Sequence, residues 1–263
     1  HWALENGQAI NVNGDITDYK FMKNVFTGVD YVFHLAAESR LQPAIENPIR
    51  AVTKNCVGTT VMLQCAREAG VKRFIYSSTS SGYGNNPWPN VETQPDDCLN
   101  PYSVSKIAGE KLCKMYTDLF DLPTVIFRYF NVYGERAPRK GQYAPVIGIF
   151  QKQKAQNSAL TIVGDGEKTR DFIHVSDVAA ASILVSESDA TGVYNVGTGV
   201  DNSVQDYYQL IAEILDFECE FTYDLSQPKG MKQKKVSTKR LDQFGWKAKT
   251  SLKEGLTKTL DFY

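Results

Sequence analysis

Short apolar runs that alternate with helices of ten or more residues constrain this chain more than any other feature. Val32–Ala37, Arg73–Ser78 and Thr124–Tyr129 read as buried strands. Between them, Asn47–Gly70 carries Val52, Cys56, Thr59, Thr60, Leu63 and Ala66 at helical spacing and stops at Gly70. Tyr102–Leu119 is a second long helix, entered through Asn100-Pro101. Strands apolar on both faces need helices to cover them, so the alternation predicts an α/β fold with a parallel sheet. Each strand ends where a small or polar cluster begins: Ala36-Ala37, Ser77–Ser81 and Asn131. Open parallel sheets seat ligands beyond the carboxyl ends of their strands, which is where those clusters fall.

After about Gly134 the rhythm loosens. Tyr143–Lys154, Val175–Ser186 and Val204–Leu215 read as helices, and Leu160–Val163 and Val193–Val196 as extended. Lys229–Lys235 is a basic, glycine-containing loop, and a last helix starts near Ser251 with Glu254 three residues on, the capping-box spacing. The chain therefore divides into residues 1–133, which carry the strand-end clusters, and a smaller mixed α/β portion, 134–263.

Composition excludes several roles. With a formal net charge of −1 over 263 residues, no basic face is available for nucleic acid or an anionic membrane. No apolar run approaches the roughly 18 residues of a membrane span. Five cysteines at 56, 65, 98, 113 and 219 make no CxxC pair, which suits reduced thiols in a cytoplasm-like compartment. The three histidines, at 1, 34 and 174, are too scattered for a histidine zinc site, and no metal is expected. His34 reads as a core histidine, and Gly164-Asp165-Gly166 as a turn.

The chemistry concentrates in Tyr102-Ser-Val-Ser-Lys106. Residues four apart share a helix face, and a lysine ammonium can draw a tyrosine pKa from about 10 towards neutrality, giving a general base for a hydroxyl. The pattern alone is weak. With 14 tyrosines a chance match is expected, and Tyr19…Lys23 is one, read as a surface helix pair. Context favours the first: Tyr102 follows Asn100-Pro101 at a helix start, and Ser77-Ser78-Thr79 ends a buried strand upstream with hydroxyls to orient the same oxygen.

With these residues in place, the sequence resembles the extended short-chain dehydrogenase/reductase family, in particular its nucleotide-sugar epimerases and dehydratases. The likeness rests on Asn13-Gly14-Asp15-Ile16, His34-Leu35-Ala36-Ala37, Asn55-Cys-Val57-Gly58-Thr59, Ser77-Ser78-Thr79 with Tyr83-Gly84, Arg128-Tyr129-Phe130-Asn131-Val132-Tyr133-Gly134, Arg170-Asp171 through His174 and Asp177, Tyr194-Asn-Val-Gly-Thr-Gly199 and Gly245-Trp246. It implies a Rossmann-like doubly wound sheet with a smaller substrate-binding C-terminal portion, and NAD as cofactor. The implied catalytic residues are Tyr102, Lys106 and Thr79. The implied cofactor contacts are Asp15, Ile16, Leu35, Ala36, Ala37, Asn55, Ser77, Tyr102, Lys106 and Tyr129. Substrate contacts fall to Thr79, Asn131, Arg170 and, in place of the arginine of an R-x-G-D-like stretch, Lys229.

The reaction follows from what stands after Thr79. Dehydratases and decarboxylases of the family carry a carboxylate there, because eliminating water needs a further acid/base. Here the stretch is Ser80-Ser81-Gly82, which favours 4-epimerisation of a UDP-hexose through a transient 4-keto sugar. GDP-fucose synthase, an epimerase/reductase, is the second reading, on the Gln227–Leu241 stretch and Lys106-Ile-Ala-Gly109. A 4,6-dehydratase and a non-catalytic remnant complete the alternatives. The family's first strand, with its G-x-x-G-x-x-G turn, has no counterpart here: Gly7, Gly14 and Gly28 do not reproduce it. The resemblance thus implies an N-terminally truncated protein with half of the NAD cradle. It also implies a homodimer through Asn47–Gly70 and Tyr102–Leu119, with Val61, Met62, Leu112 and Met115 on the outer faces.

Overall fold

The computed structural model describes residues 2–137, 156, 160–217, 220–225 and 235–262. Two compact units emerge, the first from His1–Ser77 and Asn100–Val125, the second from Ser78–Leu99 and Ile126–Tyr263, so the division runs through two strands.

The first unit holds α1 (Trp2–Glu5), α2 (Tyr19–Val25), β1 (Tyr31–His34), α3 (Leu41–Glu46), α4 (Pro48–Val52), a π-helical turn (Thr53–Gly58), α5 (Thr59–Glu68), most of β2 (Arg73–Thr79), α6 (Pro101–Phe120) and the start of β3 (Thr124–Tyr129). β1 and β2 run parallel, Tyr31 opposite Arg73 through His34 opposite Tyr76, and Phe74 N–H continues the ladder to the Pro123 carbonyl at 3.0 Å. Phe74, Ile75, Tyr76, Leu63, Ala66, Cys113 and Val125 are buried. α6 begins as its sequence demands: Asn100 Oδ1 accepts from Ser103 N–H at 2.9 Å, Ser103 closes the box, and Pro101 occupies the first turn.

The second unit adds a 3₁₀ turn (Ser80–Tyr83), the end of β3, β4 (Asn131–Tyr133), β5 (Leu160–Val163), β6 (Thr169–His174), α7 (Val175–Ser186), β7 (Gly192–Val196), β8 (Asp201–Ser203), α8 (Val204–Ile214), β9 (Phe221–Asp224), α9 (Lys239–Asp242) and α10 (Leu252–Asp261). β3 neighbours β7; β4 and β6 are parallel, β6 and β8 antiparallel, and β5 and β9 parallel. This mixed pairing matches the mixed portion expected after Gly134. Tyr133, Ile162, Tyr207, Tyr208, Ile211, Leu256 and Leu260 form its core, with Phe172 stacked on Tyr207 at 4.1 Å between ring centroids. Both Asp177 oxygens accept backbone N–H groups, from Lys249 and Thr250 at 3.0 Å each, fixing the approach to α10.

The sequence reading of Asn47–Gly70 as one helix holds, with one addition: the helical backbone runs unbroken from Pro48 to Glu68 but takes a π turn at Thr53–Gly58, where Asn55 is buried. β6 is a strand that the sequence reading passed over. The expected helix Tyr143–Lys154 lies outside the described residues, as do Cys219, Lys229 and all but Lys235 of the basic loop. Among the described residues, no helix is long and apolar enough to cross a membrane, no group of metal-ligating side chains assembles, and Cys56, Cys65, Cys98 and Cys113 form no disulfide.

Candidate active site

Tyr102 is the second residue of α6 and Lys106 lies one turn further on. The tyrosine is half-buried, whereas Lys106 is only 3% exposed. Its ammonium lies 4.3 Å from the centroid of the Tyr76 ring. Burial pushes the Lys106 pKa down to about 8, an effect opposed by neighbouring Cys113, Glu110 and Cys56. A lysine in that range is mostly charged near neutral pH and favours a phenolate on the same helix face. The second Tyr-x₃-Lys match behaves as the surface pair it was read to be. Tyr19 Oη donates to both Glu68 oxygens at 2.7 and 2.8 Å, and Lys23 pairs with the same carboxylate at 2.9 Å. That hydrogen bond to Glu68 holds the Tyr19 proton on, raising its pKa.

The π turn positions Asn55, which is 1% exposed. Its Nδ2 donates to Ser105 Oγ at 2.9 Å and to the Glu38 carbonyl at 3.1 Å, while its Oδ1 accepts from Glu38 N–H at 2.8 Å. Ser105 Oγ donates in turn to the Tyr102 carbonyl at 2.8 Å. Asn55 thus ties the segment after β1 to the helix turn that bears Tyr102. π turns of this kind recur at functional sites. Leu35, 68% exposed, and Ala36 lie bare just past β1, with Ala37 half-buried beside them. Asp15 is exposed and bonded to Lys54 and to Thr17 N and Oγ1, which together hold its carboxyl far below the usual range. Ile16 packs over Gly58, where a Cβ would come within 2.8 Å of Ile16 Cγ1, so a side chain at this position would displace Ile16.

Ser77 and Thr79 lie on β2, Thr79 as its last residue. Thr79 Oγ1 accepts from Ser81 N–H at 3.1 Å, which leaves the hydroxyl proton to donate elsewhere. In the second unit, Tyr129 ends β3 half-buried. Asn131 opens β4, and its Nδ2 donates to the Asp171 carbonyl at 2.8 Å. Arg170, next in the chain to Asp171, donates from Nη1 to the Thr169 carbonyl at 2.7 Å, and burial lowers its proton affinity against the pull of Asp201. The structure therefore brings Asn131 and the Arg170-Asp171 pair together across β4 and β6.

Sequence reasoning missed four groups around these side chains. Tyr76, Ser105 and Glu110 are buried about Lys106, and only Ser105, inside the Tyr-x₃-Lys motif itself, could have been noticed. The fourth is Asp171, 0% exposed, whose carboxylate accepts from Thr198 N–H and Oγ1 at 2.8 and 2.9 Å and from Gly199 N–H at 2.7 Å. It fixes the Tyr194–Gly199 loop, a partner its sequence neighbourhood gave no means of naming.

Comparison with known proteins identifies this arrangement. The model of the NAD dependent epimerase/dehydratase family matches residues 2–197. The chain belongs to this family. A UDP-glucose 4-epimerase of Mycolicibacterium smegmatis is 32% identical over 238 residues, 89% of this chain and 76% of that protein. The human dTDP-D-glucose 4,6-dehydratase is 32% identical over 264 residues, 96% of this chain and 74% of that one. The crystal structure of the Thermotoga maritima UDP-glucose 4-epimerase with UDP-glucose superposes with a TM-score of 0.92 at 32% identity, covering 97% of this chain and 84% of that chain. The NAD-dependent epimerase/dehydratase fold explains why the strand-end clusters lie where they do.

The residues present fit the family's cofactor. Leu35 is an apolar side chain left uncovered beyond the carboxyl end of a parallel strand, and Lys106 is a buried cation of the kind that donates to hydroxyl groups.

Proposed function

We propose that the chain catalyses 4-epimerisation of a UDP-hexose. The observation that carries this choice within the family is the state of the carboxylates in residues 79–99. The turn after Thr79 is Ser80-Ser81-Gly82-Tyr83, capped by Thr79 itself. Glu92 accepts from Asn195 N–H at 2.9 Å, Asp96 pairs with the buried Arg128 at 3.2 Å, and Asp97 accepts from Asn85 N–H at 2.7 Å. Each carboxylate of that segment is engaged in holding the loop, so none supplies the extra acid/base that elimination of water requires. Epimerisation requires none.

In this reading Asp15, Ile16, Leu35, Ala36, Ala37, Asn55, Ser77 and Tyr129 face the cofactor with the dyad, and Asn131 and Arg170 hold the substrate diphosphate, with Lys229 as a further phosphate contact. NAD, bound there, would supply a reversible hydride acceptor. Tyr102 as phenolate takes the proton of the sugar 4-hydroxyl, and Lys106, charged and dry, stabilises that phenolate. Thr79 donates its free hydroxyl proton to the same sugar oxygen. When the hydroxyl re-forms, Tyr102 returns its proton. Dimerisation through the outer faces of the π-interrupted helix and α6 belongs to the same reading. Val61, Leu112 and Met115 are half-buried there and Leu119 is 67% exposed, whereas Met62 is turned into the core.

The test is interconversion of UDP-glucose and UDP-galactose by the purified chain with NAD and no net change in cofactor redox state. Release of water from dTDP-glucose in place of epimerisation would make it a dehydratase. NADPH consumption on a GDP-4-keto sugar would make it a reductase. Binding of UDP-sugar without turnover would leave a binding module.

A further inference from the structure

The helix turn bearing Tyr102 and Lys106 rests on an aromatic side chain that no motif singles out. Tyr76, on β2, is fully buried. Its ring face lies under the Lys106 ammonium, and its Oη donates to the Lys106 carbonyl at 3.2 Å, so one residue grips both ends of the lysine. We propose that Tyr76 is a positioning residue for the hydride step, seating the Lys106 ammonium on its ring and tying that turn of α6 to β2 through its hydroxyl. The inference deepens the epimerase reading and rests on it for the role of Lys106.

His34 lies beside this seat. Its Nε2 is 3.0 Å from Thr59 Oγ1, and its ring centroid is 5.8 Å from that of Tyr76. Burial, reinforced by the charge of Lys106, pushes the His34 pKa down to about 3 and keeps it neutral, so it adds no second cation next to the ammonium.

The geometry also holds Tyr76 still. A Cβ on Gly109 would come within 2.6 Å of Tyr76 Cζ, so the phenol fills the space that the absent side chain of Gly109 leaves on α6. A buried ammonium has lost its hydration, and the electron-rich face of a tyrosine restores part of that stabilisation. The other groups facing Lys106 are Glu110 and Cys113 on α6, Cys56 on the π turn and His34 on β1. Tyr76 is the aromatic face among them.

The experiment is a ¹³C-lysine NMR titration of Lys106 in the full chain without substrate, assigned with Lys106→Arg. Tyr76→Phe is compared with trifluorophenylalanine at the same position, which keeps the ring's shape and withdraws electron density from its face, and with Tyr76→Leu. Lys106 is expected to titrate within about 0.3 unit of wild type in Tyr76→Phe, about half a unit lower with the fluorinated ring, and about one unit lower in Tyr76→Leu. The hydride step, measured as cofactor reduction in a single turnover, is expected to slow roughly 3- to 10-fold in Tyr76→Phe, which removes the hydroxyl tie to the Lys106 carbonyl, and more in the other two. Equal titration with the plain and fluorinated rings, or a rise, overturns the inference even if Tyr76→Leu fails to fold. A graded titration in a chain that does not epimerise leaves Tyr76 seating Lys106 and fails the epimerase reading alone. A flat titration in an active enzyme does the reverse.

Discussion

The Asn55 amide and the Ser105 hydroxyl meet at 2.9 Å, joining the π turn to the helix that carries Tyr102. Asn55 also exchanges two hydrogen bonds with the Glu38 backbone, so one side chain satisfies three buried or half-buried partners. Asn55→Ala removes all three and strands Glu38 N–H. The expected loss is about 2–4 kcal/mol, read as a lower urea midpoint at unchanged m-value. Asn55→Asp, which keeps the acceptor but not the donors, is expected to lose a similar amount.

Tyr102→Phe keeps the ring and removes the proton acceptor of the proposed mechanism. Hydride transfer should fall by roughly 10²- to 10⁴-fold while the affinity for UDP-sugar, measured by calorimetry, changes less than about threefold. Turnover that survives the substitution would move the base elsewhere.

In the proposed mechanism Lys106 supports Tyr102 only while charged, and burial has brought its pKa down to about 8. Its charge is present below that value and lost above it. The single-turnover rate should therefore decline as pH rises through about 8, and Lys106→Met should be slow at every pH and lack that limb.

Gly109→Ala would ordinarily gain about 1 kcal/mol of helix propensity in the middle of α6. Here the new methyl would collide with the Tyr76 hydroxyl and lie 2.6 Å from Cζ. The variant is expected to be destabilised by about 1–3 kcal/mol, and Gly109→Ala combined with Tyr76→Phe should recover part of the loss. Additive effects in thermal melts would count against the clash.

Burial raises the Asp171 pKa to about 6 against the three donors from Thr198 and Gly199. A group whose folded pKa lies above its unfolded value contributes stability that is complete below the unfolded pKa, near 4, and lost as pH rises through 6. The wild type should therefore gain on Asp171→Asn as pH falls from 7 to 4, by about 2 kcal/mol, in paired denaturation curves.

Where apolar content and a stop signal coincide, the sequence reading was sharp. Thr124–Tyr129 and Val175–Ser186 match their elements residue for residue, and Asn100-Pro101 marked the start of α6 to within a residue. Short elements escaped it. β6 has three polar residues in its first three positions, because one of them, Asp171, points inward to bind a loop and breaks the alternation that signals a strand. The π turn escaped for a related reason: Thr53–Gly58 keeps helical spacing on either side, and the extra residue is absorbed by hydrogen bonds of Asn55 to residues 17 and 50 positions away. The Tyr102–Lys106 pair was legible from a local motif. The support under it was not, since Tyr76 and His34 meet the dyad only through the register of β1 on β2.

Within β1, Tyr31 and Phe33 share one face while Val32 and His34 are buried on the other. Parity is therefore the property this four-residue strand must keep: a single residue inserted before Val32 would exchange the two faces, turn His34 out of the core and undo its contact with Thr59.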